Sequence, residues 1–166
     1  MEVRPGARDD LDQVNALYNH YVETSSATFD LEPTTMGWRA EWFGWHGTTG
    51  RHRLLVAIDG GRLVGFATSS PLRPRPAYDP SVETSVYVSR GMEGRGIGSY
   101  LYRRLFQELA HEDVHRAYAG IVLPNAPSVR LHERFGFREV GRFSEVGRKF
   151  GRYWDVAWYE KRMASR

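Results

Sequence analysis

Apolar residues recur every three or four positions in four stretches of the chain, and this spacing predicts four amphipathic helices. The first follows a short extended segment and has Asp9 or Asp10 as its N-cap. The fourth is short, with Asn125 as its cap and Gly136 at its end. The third has the clearest pattern, an apolar side chain at every fourth position: Ile97, Leu101, Leu105 and Leu109. One side of this third helix is therefore predicted to be buried.

Three tryptophans mark the second predicted helix. Trp38, Trp42 and Trp45 lie on one stripe, and Gly47 is predicted to end the helix. We expect this stripe to be buried in the core or in an interface, because large aromatic side chains at helical spacing usually pack against protein.

Runs rich in β-branched and aromatic residues predict six or seven strands. They lie near the N-terminus and at residues 52–58, 63–70, 81–89, 116–123, 137–151 and 152–162. Asp59, Gly60 and Gly61 are predicted to form a tight hairpin turn. Residues 71–80 hold four of the eight prolines, which predicts a loop or an extended edge. The mixture indicates an α/β fold, and because no linker divides the chain, residues 1–166 are predicted to form one domain.

Composition agrees with a globular domain, since 41% of the 166 residues are hydrophobic and 26% are charged. The formal net charge is only +3, and the 21 arginines are scattered along the chain. A nucleic-acid-binding protein normally gathers its basic residues into a stripe that follows the phosphates. We therefore expect no nucleic-acid partner, and a small anionic ligand fits this chain better.

The sequence shows no signal for secretion, membrane insertion or metal binding. The first residues have no apolar core of a secretion signal, and no apolar run approaches the roughly 20 residues of a membrane span. We therefore expect a cytoplasmic protein without a membrane partner. The chain has no cysteine, and its six histidines form no metal-ligand pair with a carboxylate at i,i+4 spacing, so we expect no metal.

The stretch EGRGIGSYL places three glycines, Gly94, Gly96 and Gly98, between a predicted strand and the third predicted helix. Backbone N–H groups in such a turn, together with the unpaired donors of a helix N-terminus, can bind phosphate. The spacing is neither that of an ATP-binding P-loop nor that of a dinucleotide-binding turn, and no lysine follows. The glycines alone leave two readings open, a phosphate site and a purely structural turn.

Four further motifs, in this order, resemble those of a known family: NHYVETSSATFD (19–30), AYDPSVETSVYV (77–88), PNAPSVRLHERFGF (124–137) and GRKFGRYWDVAW (147–158). Together with the glycine turn they resemble the phosphinothricin and methionine sulfoximine N-acetyltransferase branch of the GNAT acetyltransferase superfamily. The resemblance is strong over residues 83–137 and covers most of the chain in outline. It implies the GNAT fold, with a central mixed, mostly antiparallel sheet of six to seven strands flanked by about four helices, and acetyl-CoA as co-substrate.

The resemblance also implies how the co-substrate binds. The strand before the glycine turn would hold the pantetheine arm through its main chain, and the amides of residues 94–99 would hold the pyrophosphate, which side chains on the glycines would keep away. The implied cofactor-binding set is Val86, Tyr87, Val88, Gly94, Arg95, Gly96, Ile97, Gly98, Ser99, Asn125 and Ser128. Glu93 departs from the family, where many relatives have Gln or Arg. Its carboxylate would repel a pyrophosphate unless it points into solvent or Arg95 compensates it.

Acetyl transfer to an amine requires a deprotonated amine, a stabilised oxyanion and a proton for the departing thiolate. The resemblance implies that Glu83, in E-x-[ST]-V-Y-V, is the general base, acting directly or through one water. His132, in S-V-R-L-H-E, takes the place of the tyrosine general acid of many GNAT enzymes. A strand amide, of Val86 or a neighbour, would hold the oxyanion. Without the motifs, the sequence would indicate only a charged residue at a strand end for Glu83 and a structural role for His132.

The implied acceptor site lies in the proline-rich loop, which the branch uses for the acidic end of an amino acid. Arginine binds carboxylate or phosphinate oxygens in pairs, and a proline-stiffened loop needs little ordering on binding. The predicted acceptor residues are Arg73, Arg75, Tyr78, Phe29, Thr84 and Ser85. Arg73 replaces a lysine of some relatives. Surface arginines and a core phenylalanine are the open alternatives.

The function that the resemblance implies is N-acetylation of a small amino acid such as phosphinothricin, methionine sulfoximine or methionine sulfone. Direct attack is expected, since no cysteine can carry the acetyl group. The resemblance also implies a homodimer and resistance to phosphinothricin as a herbicide.

One alternative function is that of a same-fold acetyltransferase acting on a peptide N-terminus, a polyamine or an aminoglycoside, which would favour an acidic groove. Another is a non-catalytic acyl-CoA sensor, which would lack Glu83 or His132.

Overall fold

The computed structural model describes residues 1–163, and its elements follow the predicted order closely. The strands are β1 (Glu2–Pro5), β2 (Arg53–Asp59), β3 (Arg62–Pro71), β4 (Ser81–Val88), β5 (Arg116–Val122), β6 (Arg138–Lys149) and β7 (Arg152–Arg162). The helices are α1 (Leu11–Thr24), α2 (Met36–Phe43), α3 (Ile97–Leu109) and α4 (Ala126–Arg134). Within residues 1–163 the strands form one sheet in the order β1-β2-β3-β4-β5-β7-β6. Among the pairs in this range only β4 and β5 are parallel, so the mixed, mostly antiparallel sheet that the resemblance implies is confirmed.

Each face of the sheet has its own hydrophobic core. On one face, α3 buries the apolar stripe that its sequence predicts, and Leu101, Leu105 and Leu109 are fully buried. On the other face, α1 and α2 cover a second core that includes Val14 and Phe66. Because side chains alternate between the two faces along a strand, neighbouring residues of β3 and β4 contribute to different cores.

Most predicted helix ends and turns are confirmed. Asp10 holds the N-cap position of α1, although its carboxylate accepts hydrogen bonds from Arg4 and from the Ala7 N–H and not from α1. The Asn125 side chain caps α4 by accepting a hydrogen bond from the Ser128 N–H at 3.2 Å. The hairpin between β2 and β3 turns at Gly60 and Gly61, whose φ angles are 55° and 78°. The second helix differs from the prediction, since α2 ends at Phe43 and not at Gly47.

The tryptophan stripe enters the core less than predicted. Trp42 is 9% exposed and packs against the sheet, whereas Trp38 and Trp45 are 40% and 55% exposed. The prediction of a buried stripe therefore holds within this chain for Trp42 alone.

A buried arginine fills the space between α1 and α2. Arg39 is 1% exposed, and its guanidinium carbon lies 4.7 Å from the centre of the Tyr18 ring and 4.5 Å from that of Trp42. Its Nε donates a hydrogen bond of 3.0 Å to Asn15 Oδ1. Among residues 1–163 it forms no ion pair, so cation–π contacts and amide hydrogen bonds compensate its burial. These long-range contacts explain why Arg39, and not Trp38, occupies the interior.

A glycine of β3 allows α3 to approach the sheet. A Cβ at Gly65 would lie 2.8 Å from the Tyr87 carbonyl oxygen and 3.1 Å from Ile97 Cγ2. The carbonyl belongs to a paired strand and cannot move cheaply, so Gly65→Ala is expected to lower the free energy of unfolding by about 2 kcal/mol, as overpacked cores do. Denaturant titration measures this loss. The matched control is Gly141→Ala in β6, where a Cβ meets no described atom within 4 Å. Equal stability of the two variants would contradict the prediction.

Candidate active site

The sheet splits between β4 and β5. These strands pair over only three residues each, and the last pair is Glu83 with Tyr118. Beyond that pair the strands separate, and a groove of about 620 Å³ opens between them. We call the point of separation, at Glu83 and Tyr118, the fork. The groove runs from the fork past the start of α3 and along α4.

Most of the predicted site residues line this groove. They are Thr84, Ser85, Val86, Tyr87, Val88, Gly94, Gly96, Ile97, Gly98, Ser99, Asn125, Ser128 and His132. The predicted residues outside its lining are Glu83, Arg95, Phe29, Arg73, Arg75 and Tyr78. Among the other lining residues are polar or charged ones that the sequence did not single out: Tyr21, Ser25, Ser26, Arg130 and Arg134. The structure thus brings the predicted cofactor set together except for Arg95, and leaves the predicted acceptor loop to one side.

Glycine is favoured at the three positions of the turn for different structural reasons. Gly94 and Gly96 have φ angles of 74° and 80°, a region that favours glycine because it carries no Cβ. Gly98 has an ordinary backbone, but a Cβ there would lie 3.1 Å from Leu131 Cδ2 on α4. The first two glycines therefore shape the turn, and the third lets α4 pack on α3. The first turn of α3, which begins at Ile97, lines the groove with N–H groups that have no partner within the helix.

The main chain of β4 beyond the fork has one free side. The Ser89 N–H donates a hydrogen bond of 2.9 Å to a carbonyl of β3. Because hydrogen-bonding direction alternates along a strand, the main-chain groups of Tyr87 also face β3 and those of Val86 and Val88 face the groove. The Val88 carbonyl already accepts a hydrogen bond from the Tyr21 hydroxyl at 2.8 Å. Val86 and Val88 are thus the residues of β4 that can offer main-chain bonds to a ligand in the groove.

Glu83 and His132 lie on opposite faces of the sheet. Val82 packs into the core under α3, and the Thr84 hydroxyl meets the Tyr102 hydroxyl of α3. Glu83, between them, therefore points to the face that α1 and α2 cover. His132 on α4 lies with Tyr102 on the α3 face. The fork is the opening through which the two faces communicate, because no strand pairing closes it beyond Glu83.

Glu83 is half-buried at the fork, where its main chain lies between Ser70 of β3 and Tyr118 of β5. Burial raises the pKa of Glu83, and the positive charge of Arg73 opposes part of this rise. Among the described residues no hydrogen bond to the carboxyl contributes to its pKa. A desolvated carboxyl without a fixed partner binds a proton more readily than an exposed one.

His132 is 3% exposed and is hydrogen-bonded through both ring nitrogens. Nδ1 lies 2.8 Å from the Ser128 carbonyl oxygen, and Nε2 lies 2.8 Å from the Tyr102 hydroxyl. A carbonyl can only accept, so Nδ1 carries the proton of the neutral ring and Nε2 accepts from Tyr102. Burial lowers the pKa of His132, which favours this neutral form. Sequence reasoning missed Tyr102, because an aromatic residue on the buried stripe of α3 reads as core.

The proline-rich loop presents Arg73, Arg75 and Tyr78 to solvent. Among residues 1–163 neither arginine forms an ion pair, and the Arg73 guanidinium lies 5.7 Å from the centre of the Trp158 ring. Within the same range the buried Nε1–H of Trp158 has no hydrogen-bond partner. Phe29 is half-buried and packs against Gly147 of β6. The loop therefore offers two guanidinium groups without an ion-pair partner among residues 1–163; that of Arg73 donates a hydrogen bond of 2.8 Å to the Leu72 carbonyl and acts electrostatically on Glu83.

Two absences concern only the described part of the chain. Among residues 1–163, no cluster of three His, Cys, Asp or Glu side chains could hold a metal ion. No helix in that range has both the length and the hydrophobicity needed to cross a membrane. The expectations of no metal and no membrane partner stay predictions.

Comparisons with known proteins agree on one family. Residues 14–137 match the model of the acetyltransferase (GNAT) family. The chain is 58% identical over 163 residues to phosphinothricin N-acetyltransferase of Streptomyces coelicolor, covering 97% of this chain and 95% of the relative. It is 33% identical over 159 residues to the L-methionine sulfoximine/L-methionine sulfone acetyltransferase of Pseudomonas aeruginosa, covering 95% and 92%. The crystal structure of a phosphinothricin acetyltransferase from Sinorhizobium meliloti in complex with AcCoA superposes with a TM-score of 0.92 at 28% identity, over 98% of this chain and 88% of that one.

Proposed function

The chain belongs to the acetyltransferase (GNAT) family, and we propose that it transfers the acetyl group of acetyl-CoA to the amino group of a small amino acid of the phosphinothricin or methionine sulfoximine type. The observation that carries this proposal is the fork. The glycine turn and the main chain of Val86 and Val88 line the groove, and the desolvated carboxyl of Glu83 belongs to the fork, where the two faces of the sheet communicate. This arrangement suits a reaction in which two substrates meet from opposite faces of a sheet.

The groove fits acetyl-CoA, which supplies the acetyl group as a thioester. The glycine turn, residues 94–99, and the α3 N-terminus offer amide donors and a positive helix end to the pyrophosphate. Arg130 and Arg134 add positive charge on the groove wall. Glu93 also lines the groove, and because it is exposed its carboxylate can stay in solvent. Val86 and Val88 would bind the pantetheine arm through their main chain. We propose that Asn125 and Ser128 complete the site from the start of α4.

Glu83 acts as the general base in this proposal. An amino group is mostly an ammonium ion at neutral pH, so a proton must leave before the nitrogen can attack. The raised pKa of Glu83 brings the proton affinity of its carboxylate closer to that of the amine, and Arg73 helps to keep it ionised. The nitrogen then forms the amide bond as the carbon–sulfur bond breaks.

His132 and Tyr102 handle the second proton that the nitrogen loses. In the neutral state the Tyr102 hydroxyl donates to His132 Nε2. When Nε2 takes up a proton it donates to the Tyr102 oxygen, whose hydroxyl can then donate to Thr84 Oγ1, 3.4 Å away. The network keeps its hydrogen bonds in both protonation states, and this property supports a role in accepting a proton and returning it to the departing sulfur.

The acceptor amino acid would bind on the Glu83 face. Arg73 and Arg75 would pair with its carboxylate or with the oxygens of its tetrahedral group, and Tyr78 and Phe29 would contact its side chain. Ser85 lies on the same face as Glu83, because it is two residues further along β4. Thr84 is 3% exposed on the opposite face, so we assign it to the proton network instead.

We also propose a homodimer of a single-domain subunit. One continuous sheet spans the described residues, which supports one domain. Its edge strand β6 exposes Val140, Phe143 and Val146 by 48%, 52% and 53%, and exposed apolar side chains grouped in this way mark interaction surfaces. Cytoplasmic location, the lack of a nucleic-acid partner and herbicide resistance stay predictions.

An acceptor panel tests the proposed function. Thiol release from acetyl-CoA is measured with phosphinothricin, methionine sulfoximine, methionine sulfone, methionine, a polyamine, an aminoglycoside and a tripeptide. We expect kcat/KM for the three amino acids with tetrahedral oxygens to exceed that for methionine by about 100-fold, because paired arginines lose their partners when those oxygens are missing. Preference for a polyamine, aminoglycoside or peptide would overturn the acceptor assignment, and cofactor binding without any turnover would indicate a sensor.

A further inference from the structure

We propose that Gly147 and Lys149 of β6 are positioning residues that hold Phe29 and residues 25–28 in place, and that they thereby set which acceptor side chains fit the site. This inference rests on the proposed function, since it concerns the acceptor of that reaction. Neither residue touches the groove, and both act through the segment that follows α1.

Gly147 leaves the space that the Phe29 ring occupies. A Cβ on Gly147 would overlap the ring, at 2.5 Å from Cζ and 2.7 Å from Cδ2. The φ angle of Gly147 is outside the left-handed region, so its backbone conformation does not demand glycine. The contact with Phe29 is therefore the reason that a side chain does not fit here. Because the overlap involves the far end of one side chain, a methyl group would displace the ring without disturbing the sheet.

Lys149 holds the segment before Phe29 from the same strand. Its side chain is 4% exposed, and Nζ donates hydrogen bonds of 2.8 Å to the carbonyl oxygens of Ser25 and Thr28. The ammonium is taken from water to make these bonds, and this burial lowers the pKa of Lys149. A buried ammonium group that donates two hydrogen bonds to one short segment fixes that segment relative to β6.

The segment held in this way forms part of the site wall. Ser25, Ser26 and Ala27 line the groove, and Phe29 lies two residues further along the chain, after Thr28. From the other side, the Tyr18 hydroxyl lies 2.7 Å from Thr28 Oγ1. Residues 25–29 are thus clamped between α1 and the end of β6. A shift of this wall changes the shape of the acceptor site without touching Glu83 or His132.

Gly147→Ala is the first test, with Gly141→Ala on the same strand as its control. We expect Gly147→Ala to raise the KM of the acceptor about 10-fold and to reorder the acceptor panel, with kcat and the KM of acetyl-CoA within about 2-fold of wild type. In a Phe29→Ala background the same change should have an effect below about 2-fold, because the ring that it displaces is gone. Gly141→Ala should match wild type throughout.

Lys149→Met is the second test, with Lys161→Met as its control. Lys161 is also partly buried and donates a hydrogen bond of 2.8 Å to the main-chain carbonyl of Phe135, so the control loses one bond of the same kind as the two that Lys149→Met loses. We expect Lys149→Met to raise the KM of the acceptor about 10-fold at unchanged saturated kcat, and Lys161→Met to leave it within about 2-fold. A purely structural role would lower stability in both variants without this KM effect.

Different results overturn different claims. An active wild type together with unchanged acceptor selectivity in both Gly147→Ala and Lys149→Met overturns the positioning inference alone. An equal effect of Gly147→Ala with and without the Phe29 ring also overturns it. A wild type that acetylates no amino acid of the panel overturns the proposed function.

Discussion

Glu83→Gln is expected to lower kcat by about 100- to 1,000-fold, the range that a positioned general base contributes. Glutamine keeps the size and polarity of the side chain but cannot accept the proton of the acceptor ammonium at neutral pH. The remaining rate comes from the small fraction of acceptor that is already deprotonated. Thiol release at saturating acetyl-CoA and acceptor measures this loss directly.

The pH dependence of kcat tests whether Glu83 is the general base. The base must be ionised to work, and burial raises the pKa of Glu83, so kcat of the wild type should rise with pH through that raised value. Glu83→Gln should lose this acidic limb. Glu139→Gln is the control, since Glu139 is an exposed carboxylate of β6 whose pKa is lowered by Arg142. A Glu83→Gln variant with near wild-type kcat, or with an unchanged acidic limb, would refute the assignment.

The contribution of Glu83 to stability should fall as pH rises, whereas its contribution to activity should increase. An acid whose pKa is raised in the folded state binds protons more tightly there than in the unfolded chain, so Glu83 lowers stability as pH rises from its unfolded value through its folded pKa. At neutral pH Glu83→Gln removes that desolvated charge, and the free energy of unfolding should stay level or increase. A loss of activity without a loss of stability separates a chemical role from a structural one.

His132→Ala is expected to lower kcat about 100-fold, because it removes the imidazole that accepts and returns the proton in the proposed network. The variant also loses two buried hydrogen bonds, those with Tyr102 and with the Ser128 carbonyl, so some loss of stability is expected. Activity at neutral pH should persist in the wild type, since burial lowers the pKa of His132 and the proposed role uses the neutral ring.

Two further variants separate chemistry from packing at His132. Tyr102→Phe should lower kcat about 10-fold, and adding it to His132→Ala should cause little further loss, since Tyr102 acts through the imidazole. His46→Ala is the structural control. Its ring is hydrogen-bonded to the Trp42 carbonyl at 2.9 Å, and burial lowers the pKa of His46 to about 4. Equal kcat losses in His46→Ala and His132→Ala would show that His132 acts through packing and not through proton transfer.

Much of the fold was predictable because its signals are local. The apolar stripe of α3 and the hairpin turn at Gly60 and Gly61 depend on neighbours within a few residues. The end of α2 at Phe43 was missed, since glycines at both 44 and 47 can follow a helix and tertiary packing selects between them. Trp38 was assigned to the core because its spacing is helical, and the sequence carries no sign that Arg39 stacks in its place.

The candidate site was predictable in its parts and not in its arrangement. Motifs gave Glu83 and His132 as a pair, yet their positions on opposite faces of the sheet follow from where β4 leaves β5. Tyr102 could not be found, since a buried tyrosine and a buried phenylalanine occupy a helical stripe equally well. The bonds of Lys149 join segments more than 120 residues apart, a distance at which no sequence periodicity operates.

The sequence by itself determined the order and type of the elements, the glycines of the turn and the family resemblance, because each depends on residue types at short spacing. Only the tertiary structure decided that the sheet opens at Glu83, that His132 is neutral and bonded to Tyr102, and that Gly147 and Lys149 reach the wall near Phe29. These features arise from strand pairing and burial between distant segments, and the free energy of such contacts depends on three-dimensional distance.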